Sequence, residues 1–161
     1  MPIEIALTTQ GHDTEKLYQL FRSAMEPYVE AARGTPWNDE RERRQFFAQL
    51  APSSVRLILR GDQVVGFVDI RAGDNGCFLH TMVVAPGWQS SGVGGTVLEQ
   101  LKAKSDRLSL TVLKTNPRAR RFYERAGFRE VGSTEHHYQL EWASNCTMER
   151  DARKSGACPS L

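Results

Sequence analysis

Leu79-His80-Thr81-Met82-Val83-Val84-Ala85-Pro86-Gly87-Trp88-Gln89-Ser90-Ser91-Gly92-Val93-Gly94-Gly95 is the stretch that decides how this chain folds. Its first six residues form a β-rich run that Pro86 stops. Gln89 to Gly95 is a glycine-containing loop. From about Gly92 to Lys104 the apolar residues Val93, Val97, Leu98 and Leu101 recur at helical spacing. A strand that passes through glycines into a helix N-terminus presents unpaired N–H groups and the positive end of a dipole, which suits phosphate. Glycine lets the backbone approach closely and take positive φ. An isolated G-x-G-G also fits an ordinary turn, so the rest of the chain has to discriminate. A Walker loop is excluded because Gly95 is followed by Thr96 and Val97, with no lysine. A dinucleotide fingerprint is excluded because Val97 stands where its third glycine belongs.

Working outward, Pro2 to Thr9 reads as a strand and a helix follows from about Asp13, capped by Asp13 or Thr14. Gly34-Thr35-Pro36 interrupts it, and a second helix from about Asn38 groups Phe46, Phe47 and Leu50. Its Asp39–Arg44 run alternates in sign, as a solvated face does. Val55–Arg60 and Val64–Arg71 flank Gly61-Asp62-Gln63 as a hairpin, and Gly73-Asp74-Asn75-Gly76 turns into the strand before the loop. After the helix come a strand at 108–113, a helix at 117–126 and a final strand pair within 131–143. The order β-α-α-β-β-β-α-β-α-β-β predicts one mixed α/β domain over residues 1–143 rather than a doubly wound parallel sheet. From Ser144 the chain is polar and lacks apolar periodicity, so 144–161 is expected as a mobile or loosely attached tail.

Two motifs in order carry a family resemblance. Val84-Ala85-Pro86 leads to Gln89-x-x-Gly92-x-Gly94, and Asn116-Pro117-x-Ala119-x-x-Phe122-Tyr123-Glu124-x-x-Gly127-Phe128 follows downstream. The chain therefore resembles the Gcn5-related N-acetyltransferase (GNAT) superfamily over roughly residues 2–143. The resemblance implies a central, mostly antiparallel sheet whose middle strands splay apart, flanked by helices, with acetyl-CoA as co-substrate in the gap. It assigns the backbone of Met82, Val83 and Val84 to the pantetheine arm, and Gln89, Ser90, Ser91, Gly92, Val93, Gly94 and Gly95 to the pyrophosphate. Asn116, Ala119, Arg120, Phe122, Tyr123 and Arg125 face the cofactor from the other side. Tyr123 matches the position of the acid that meets the departing sulfur, although it also belongs to the apolar face of its helix.

An amine with a pKa near ~10 must lose a proton before it attacks a thioester. His80, on the strand before the loop, resembles the base of the arylalkylamine branch; it also fits a hydrogen-bonded packing residue. Asp69 and Glu26 are the outside candidates. The acceptor is expected among the first helices and last strands, with Glu26, Tyr28, Trp37 and Asp69 as binding residues. Glu30 and Asp39 are further anions for a cationic amine, and Phe46, Phe47, His136, His137, Tyr138 and Trp142 are aromatic walls. The favoured activity is acetyl transfer to the primary amine of a small molecule by direct attack in a ternary complex. A protein N-terminal or lysine acetyltransferase, and a non-catalytic acyl-CoA-binding regulatory domain, are the alternatives. By analogy a homodimer is also open.

Charge supports an anionic partner. Residues 102–129 hold nine cations against two anions, +7, leaving −5 for the remainder of a 161-residue chain with formal charge +2. Lys114, Arg120, Arg121 and Arg125 are the cations expected near the CoA phosphates; a solvated helix face is the plain alternative. These cations are not interleaved with base-stacking aromatics, which argues against nucleic acid. No apolar run reaches the ~20 residues of a membrane span, and the start lacks a signal-peptide pattern. Three scattered cysteines and the absence of C-x-x-C or H-E-x-x-H lead to the expectation of a metal-free, cytoplasmic protein.

Overall fold

The computed structural model describes residues 3–7 and 13–154. The strands are β1 (Ile3–Leu7), β2 (Val55–Arg60), β3 (Gln63–Gly73), β4 (Gly76–Val84), β5 (Arg107–Leu113), β6 (Arg129–Ser133) and β7 (His137–Ala143). The helices are α1 (Thr14–Arg33), α2 (Asp39–Gln49), α3 (Val93–Ala103), α4 (Pro117–Arg125) and α5 (Asn145–Lys154). The strands form one sheet in the order β1-β2-β3-β4-β5-β7-β6. Every pairing is antiparallel except β4 with β5. This is the mixed α/β architecture expected from the element order.

Local chemistry sets the helix ends. The Asp13 side chain accepts from the amides of Glu15 and Lys16, and Gly34, at φ 70, closes α1 by donating to the Glu30 carbonyl. Asn38 caps α2 through Arg41 N–H. The sheet alternates its side chains between two cores. Val65, Val68, Leu79, Leu108 and Leu110 face α3 and α4 and pack with Val93, Val97, Leu98, Leu101 and Tyr123. Val55, Phe67 and Val83 face α1 and α2, against Leu17, Phe21 and Phe46. Adjacent residues Phe67 and Val68 thus serve opposite faces, as strand geometry requires.

Within the polar stretch after Ser144, α5 forms over Asn145–Lys154, a helix that the sequence reading did not place. It is held by polar contacts instead of an apolar stripe, which is why periodicity missed it. Ser144 Oγ accepts from Thr147 N–H at 3.3 Å and donates to Thr147 Oγ1 at 2.9 Å, while Arg107 pairs with both Glu141 and Asp151. Cys158 and the last residues of the expected tail lie outside the described residues. Among the described residues no helix is long and apolar enough to cross a membrane.

Candidate active site

β4 and β5 pair only at Cys77 with Leu108 and Phe78 with Ser109. Beyond that point the strands part, and a cavity of about 870 Å³ opens between them and α1–α2. Its walls include Leu79–Val83 of β4, Leu110–Leu113 of β5, and Asn116, Ala119 and Tyr123 from the start of α4 and its following turns.

The backbone of β4 is the first polar feature of that gap. Ala85 N–H donates to Val65 O at 2.8 Å, toward β3. Amide direction alternates along an antiparallel strand, so Val83 also faces β3 while Val84 and Met82 face the gap. Of the three residues expected to meet a pantetheine arm, Val83 is therefore the one whose backbone is already committed. The Val84 carbonyl accepts from Gln89 Nε2 at 3.0 Å, which leaves the Val84 N–H as the donor on that side.

Gln89 ties the loop together. Its other terminus, Oε1, accepts from Arg118 Nη1 at 3.1 Å, and Arg118 Nη2 donates to Ser90 Oγ at 2.6 Å. Ser90 and Gly92 have φ of 60 and 86, and Gly92 caps α3 without a side chain. The first amides of α3 are thus left without a side-chain acceptor at an exposed helix start. Gly94 has a packing role, because a Cβ there would lie 3.0 Å from Phe122 Cζ; a Cβ on Gly95 would meet open space. Residues 89–95 lie beside the cavity and do not line it.

Tyr123 is 8% exposed and lines the cavity. Its ring packs edge-on against Phe122 and Phe128, and its hydroxyl has no hydrogen-bond partner among the described residues. Burial raises its pKa well above the usual phenol value, so it stays protonated. Asn116 caps α4 by accepting from Ala119 N–H at 3.1 Å, and its side-chain amide nitrogen has no partner among the described residues.

His80 lines the same cavity from β4. Its Nδ1 lies 3.1 Å from Thr81 Oγ1 and 3.6 Å from Asp69 Oδ2. With Nδ1–H turned to these oxygens, Nε2 carries the free lone pair. Burial is the main cause of a lowered pKa, reinforced by Arg71 and opposed by Asp69. The ring is therefore neutral at pH 7. Asp69 is 1% exposed and held by Arg71 through Nε at 3.1 Å and Nη2 at 2.7 Å. That makes it a support for His80 more than an open partner for a substrate cation.

The structure relocates several expected site residues. Glu26, Tyr28 and Trp37 do not line the cavity. Glu26 pairs with Arg22 at 3.0 Å, and Trp37 packs on Tyr18 and Phe21 beneath the Arg22 guanidinium. The Tyr28 carbonyl accepts from Thr115 Oγ1. Arg120 does not point to the cofactor gap: it stacks on Tyr138 at 3.9 Å and pairs with Glu124 and Glu130. Arg125 and Phe122 also lie outside the lining, whereas Arg118 is the α4 cation that reaches the loop. His136 and His137 do line the cleft. The residues that sequence reasoning missed are Arg33, Arg41, Glu42 and Gln45. One signal was available: Glu42, Gln45, Phe46 and Gln49 recur at i, i+3, i+4 and i+7, the spacing of a single helix face. No group of three or more His, Cys, Asp or Glu suited to a metal occurs among the described residues.

The acetyltransferase (GNAT) family model matches residues 14–128. This chain belongs to that family. Within this GNAT chain the match spans both cavity walls, from α1 to the turn after α4. N-alpha-acetyltransferase RimI of Mycobacterium tuberculosis is 33% identical over 98 residues, 57% of this chain and 62% of that protein. The similarity thus covers less than two thirds of that relative's length. Among crystal structures, PH1933 from Pyrococcus horikoshii OT3 superposes with TM-score 0.68 at 22% identity, over 89% of this chain and 99% of that one. The PaiA N-acetyltransferase of Thermoplasma acidophilum, solved with coenzyme A, gives TM-score 0.64 at 17% identity over 89% of this chain and 100% of its own. At these identities the structural likeness is one of fold.

Proposed function

We propose that this GNAT-family chain moves the acetyl group of acetyl-CoA to the primary amine of a small molecule held in the cleft, by direct attack within a ternary complex. The observation that supports this most is the β4–β5 seam, which sets an unpaired strand edge, His80 and Tyr123 around one cavity. The exposed start of α3 and the Arg118 bridge fit a pyrophosphate at the loop.

When bound, acetyl-CoA supplies the thioester whose carbonyl carbon the amine attacks. The Val84 N–H is placed to polarise that carbonyl. His80 Nε2 takes the proton of the ammonium, directly or through one water, and passes it to solvent. The new C–N bond forms, the nitrogen gives up its second proton, which ends on the sulfur or in solvent, the C–S bond breaks, and the sulfur departs toward the Tyr123 hydroxyl. A phenol raised by burial is a weaker acid than a free thiol of pKa ~8.5. Tyr123 therefore stabilises the departing thiolate by a hydrogen bond, and completes proton transfer only as far as the same dry surroundings raise the thiol.

The test is an amine panel read by thiol release from acetyl-CoA. Turnover on small amines with saturable acceptor kinetics supports the reading. Cofactor binding without turnover on any amine or peptide would replace it with an acyl-CoA-binding module. The similarity to RimI favours a second reading, transfer to a protein N-terminus. Preference for peptide N-termini over free amines in the same panel would select it.

A further inference from the structure

His80 owes its direction to an extra residue in its strand. Along the β3–β4 ladder Asp69 stands opposite Thr81 and Ile70 opposite Leu79, so His80 has no partner on β3 and forms a β-bulge. A bulge re-aims a side chain. Adjacent strand residues otherwise point to opposite faces, yet His80 and Thr81 meet on one side, Nδ1 to Oγ1 at 3.1 Å. On β3 the alternation holds. Phe67, Asp69 and Arg71 follow at two-residue spacing on the face covered by α1 and α2.

That spacing makes Asp69 and Arg71 a bidentate pair, with Nε on Oδ1 at 3.1 Å and Nη2 on Oδ2 at 2.7 Å. The same Nη2 donates at 2.6 Å to the carbonyl of Gln49, the last residue of α2. Oδ2 is also the oxygen that lies 3.6 Å from His80 Nδ1. A continuous row of contacts thus runs from the end of α2 through Arg71 and Asp69 to the ring that faces the cavity. The other titratable groups of the cavity are paired or neutral. Glu42 lies between Arg33 Nε at 2.6 Å and Arg41 Nε at 3.0 Å. His136 lies 3.8 Å from Glu135, and burial keeps His137 neutral and Tyr123 protonated at pH 7. Asp69 and Arg71 remain as the charges that act on His80, and they act in opposite senses.

A carboxylate at 1% exposure beside an imidazole would, by itself, hold the imidazolium and leave no base at neutral pH. A guanidinium on both of its oxygens offsets that pull and still leaves the carboxylate in place for Nδ1–H. We propose that Arg71 is a positioning residue of the transfer reaction: it anchors Asp69 to the end of α2, so that Asp69 fixes the His80 ring with Nε2 toward the acceptor while its own charge is balanced. Arg71 does not line the cavity and acts through Asp69 alone. Its part in the reaction rests on the acetyl-transfer reading above; its hold on His80 is a property of the free protein.

The first measurement is therefore made without substrates. Heteronuclear NMR of the imidazoles, with His80 assigned by its loss in His80→Ala, gives tautomer and titration. In the wild type the neutral ring is the Nδ1–H tautomer. Arg71→Met leaves the Asp69 charge uncompensated and moves the His80 titration up by about one unit or more, whereas Asp69→Asn leaves Arg71 facing the ring and moves it down. Two neighbouring variants with opposite signs do not reflect a general loss of packing. A titration that stays in place or moves the same way in both overturns the proposal. So does a wild-type ring in the Nε2–H tautomer, a result that needs no variant to fold. In kinetics, Arg71→Met carries the acidic limb of kcat/KM upward with the NMR value. Its deficit is up to about tenfold on the limb and about twofold or less at about pH 9. Arg71→Lys, which keeps the charge and loses the fork, moves the limb less than half as far. A limb that stays while the NMR titration moves overturns the part of Arg71 in the reaction, and so does a deficit equal at every pH. If no amine turns over, the acetyl-transfer reading fails separately, and the NMR outcomes still decide the hold on His80.

Discussion

The two walls of the cleft are built by different means. The wall formed by β4 and α4, with the 89–95 loop beside it, uses short contiguous segments: backbone amides of a splayed strand, positive-φ positions at Ser90 and Gly92 next to it, and Tyr123 one helix away. The α1–α2 wall is assembled from long side chains, Arg33 from the end of one helix and Arg41, Glu42 and Gln45 from the next. A backbone-built wall suits a ligand that is always the same. A side-chain wall can be changed one residue at a time.

The largest expected effect lies on the first wall. Tyr123→Phe should lower kcat about 10²-fold or more, within the range for loss of one positioned hydrogen-bond donor to a developing anion, while the KM for acetyl-CoA moves little. An unchanged kcat at every pH would take Tyr123 out of the reaction and leave this wall with binding alone. Next comes the boundary between the walls. His80→Ala should cost roughly tenfold to 10²-fold and remove the acidic limb of the kcat/KM profile, which falls below about 6.5 because burial lowers the His80 pKa. Survival of that limb would assign it to another group.

A smaller effect separates two arginines of one helix. Arg118→Ala should raise the KM for acetyl-CoA about fivefold with kcat nearly intact, as loss of the Gln89–Ser90 bridge loosens the loop. Arg120→Ala should shift it less than about twofold, because that side chain serves Tyr138, Glu124 and Glu130. Equal effects would erase the distinction.

The smallest effect is on stability. Burial lowers the pKa of both His80 and His137, so the folded state binds fewer protons than the unfolded one below about pH 6.5. Stability is then retained above the unfolded pKa and lost as pH falls through the folded values. Melting temperatures between pH 5 and 8 should rise with pH, and His80→Ala should flatten the slope.

The same division explains what the sequence disclosed. The loop and the Asn116-to-Phe128 motif are contiguous, and their spacing alone puts glycine, cap and phenol on the right elements. Glu42 sits in Asp39–Arg44, an alternating-charge run that is indistinguishable from a solvated face until α2 is docked. Docking decides that Glu42 turns inward with Phe46, whereas Asp39 turns to Tyr18 and Arg43. The basic segment shows the same limit. Its charge was legible, but Arg107, Arg120 and Lys102 are committed to Glu141 and Asp151, to Glu124 and Glu130, and to Glu99. Composition reports how many cations there are, and only packing reports which are already paired.

Mechanically, the sheet is notched. Four strands on one side and three on the other are joined by two residue pairs at the closed end of the β4–β5 seam. Each lip of the notch is a strand edge with unmet hydrogen-bonding groups, the kind of surface that recruits extended chains. A ligand lying along the lips would act as a brace across the widest part of the crack. Preparations stripped of such a ligand should therefore clump and lose their shape sooner on storage than those kept with it.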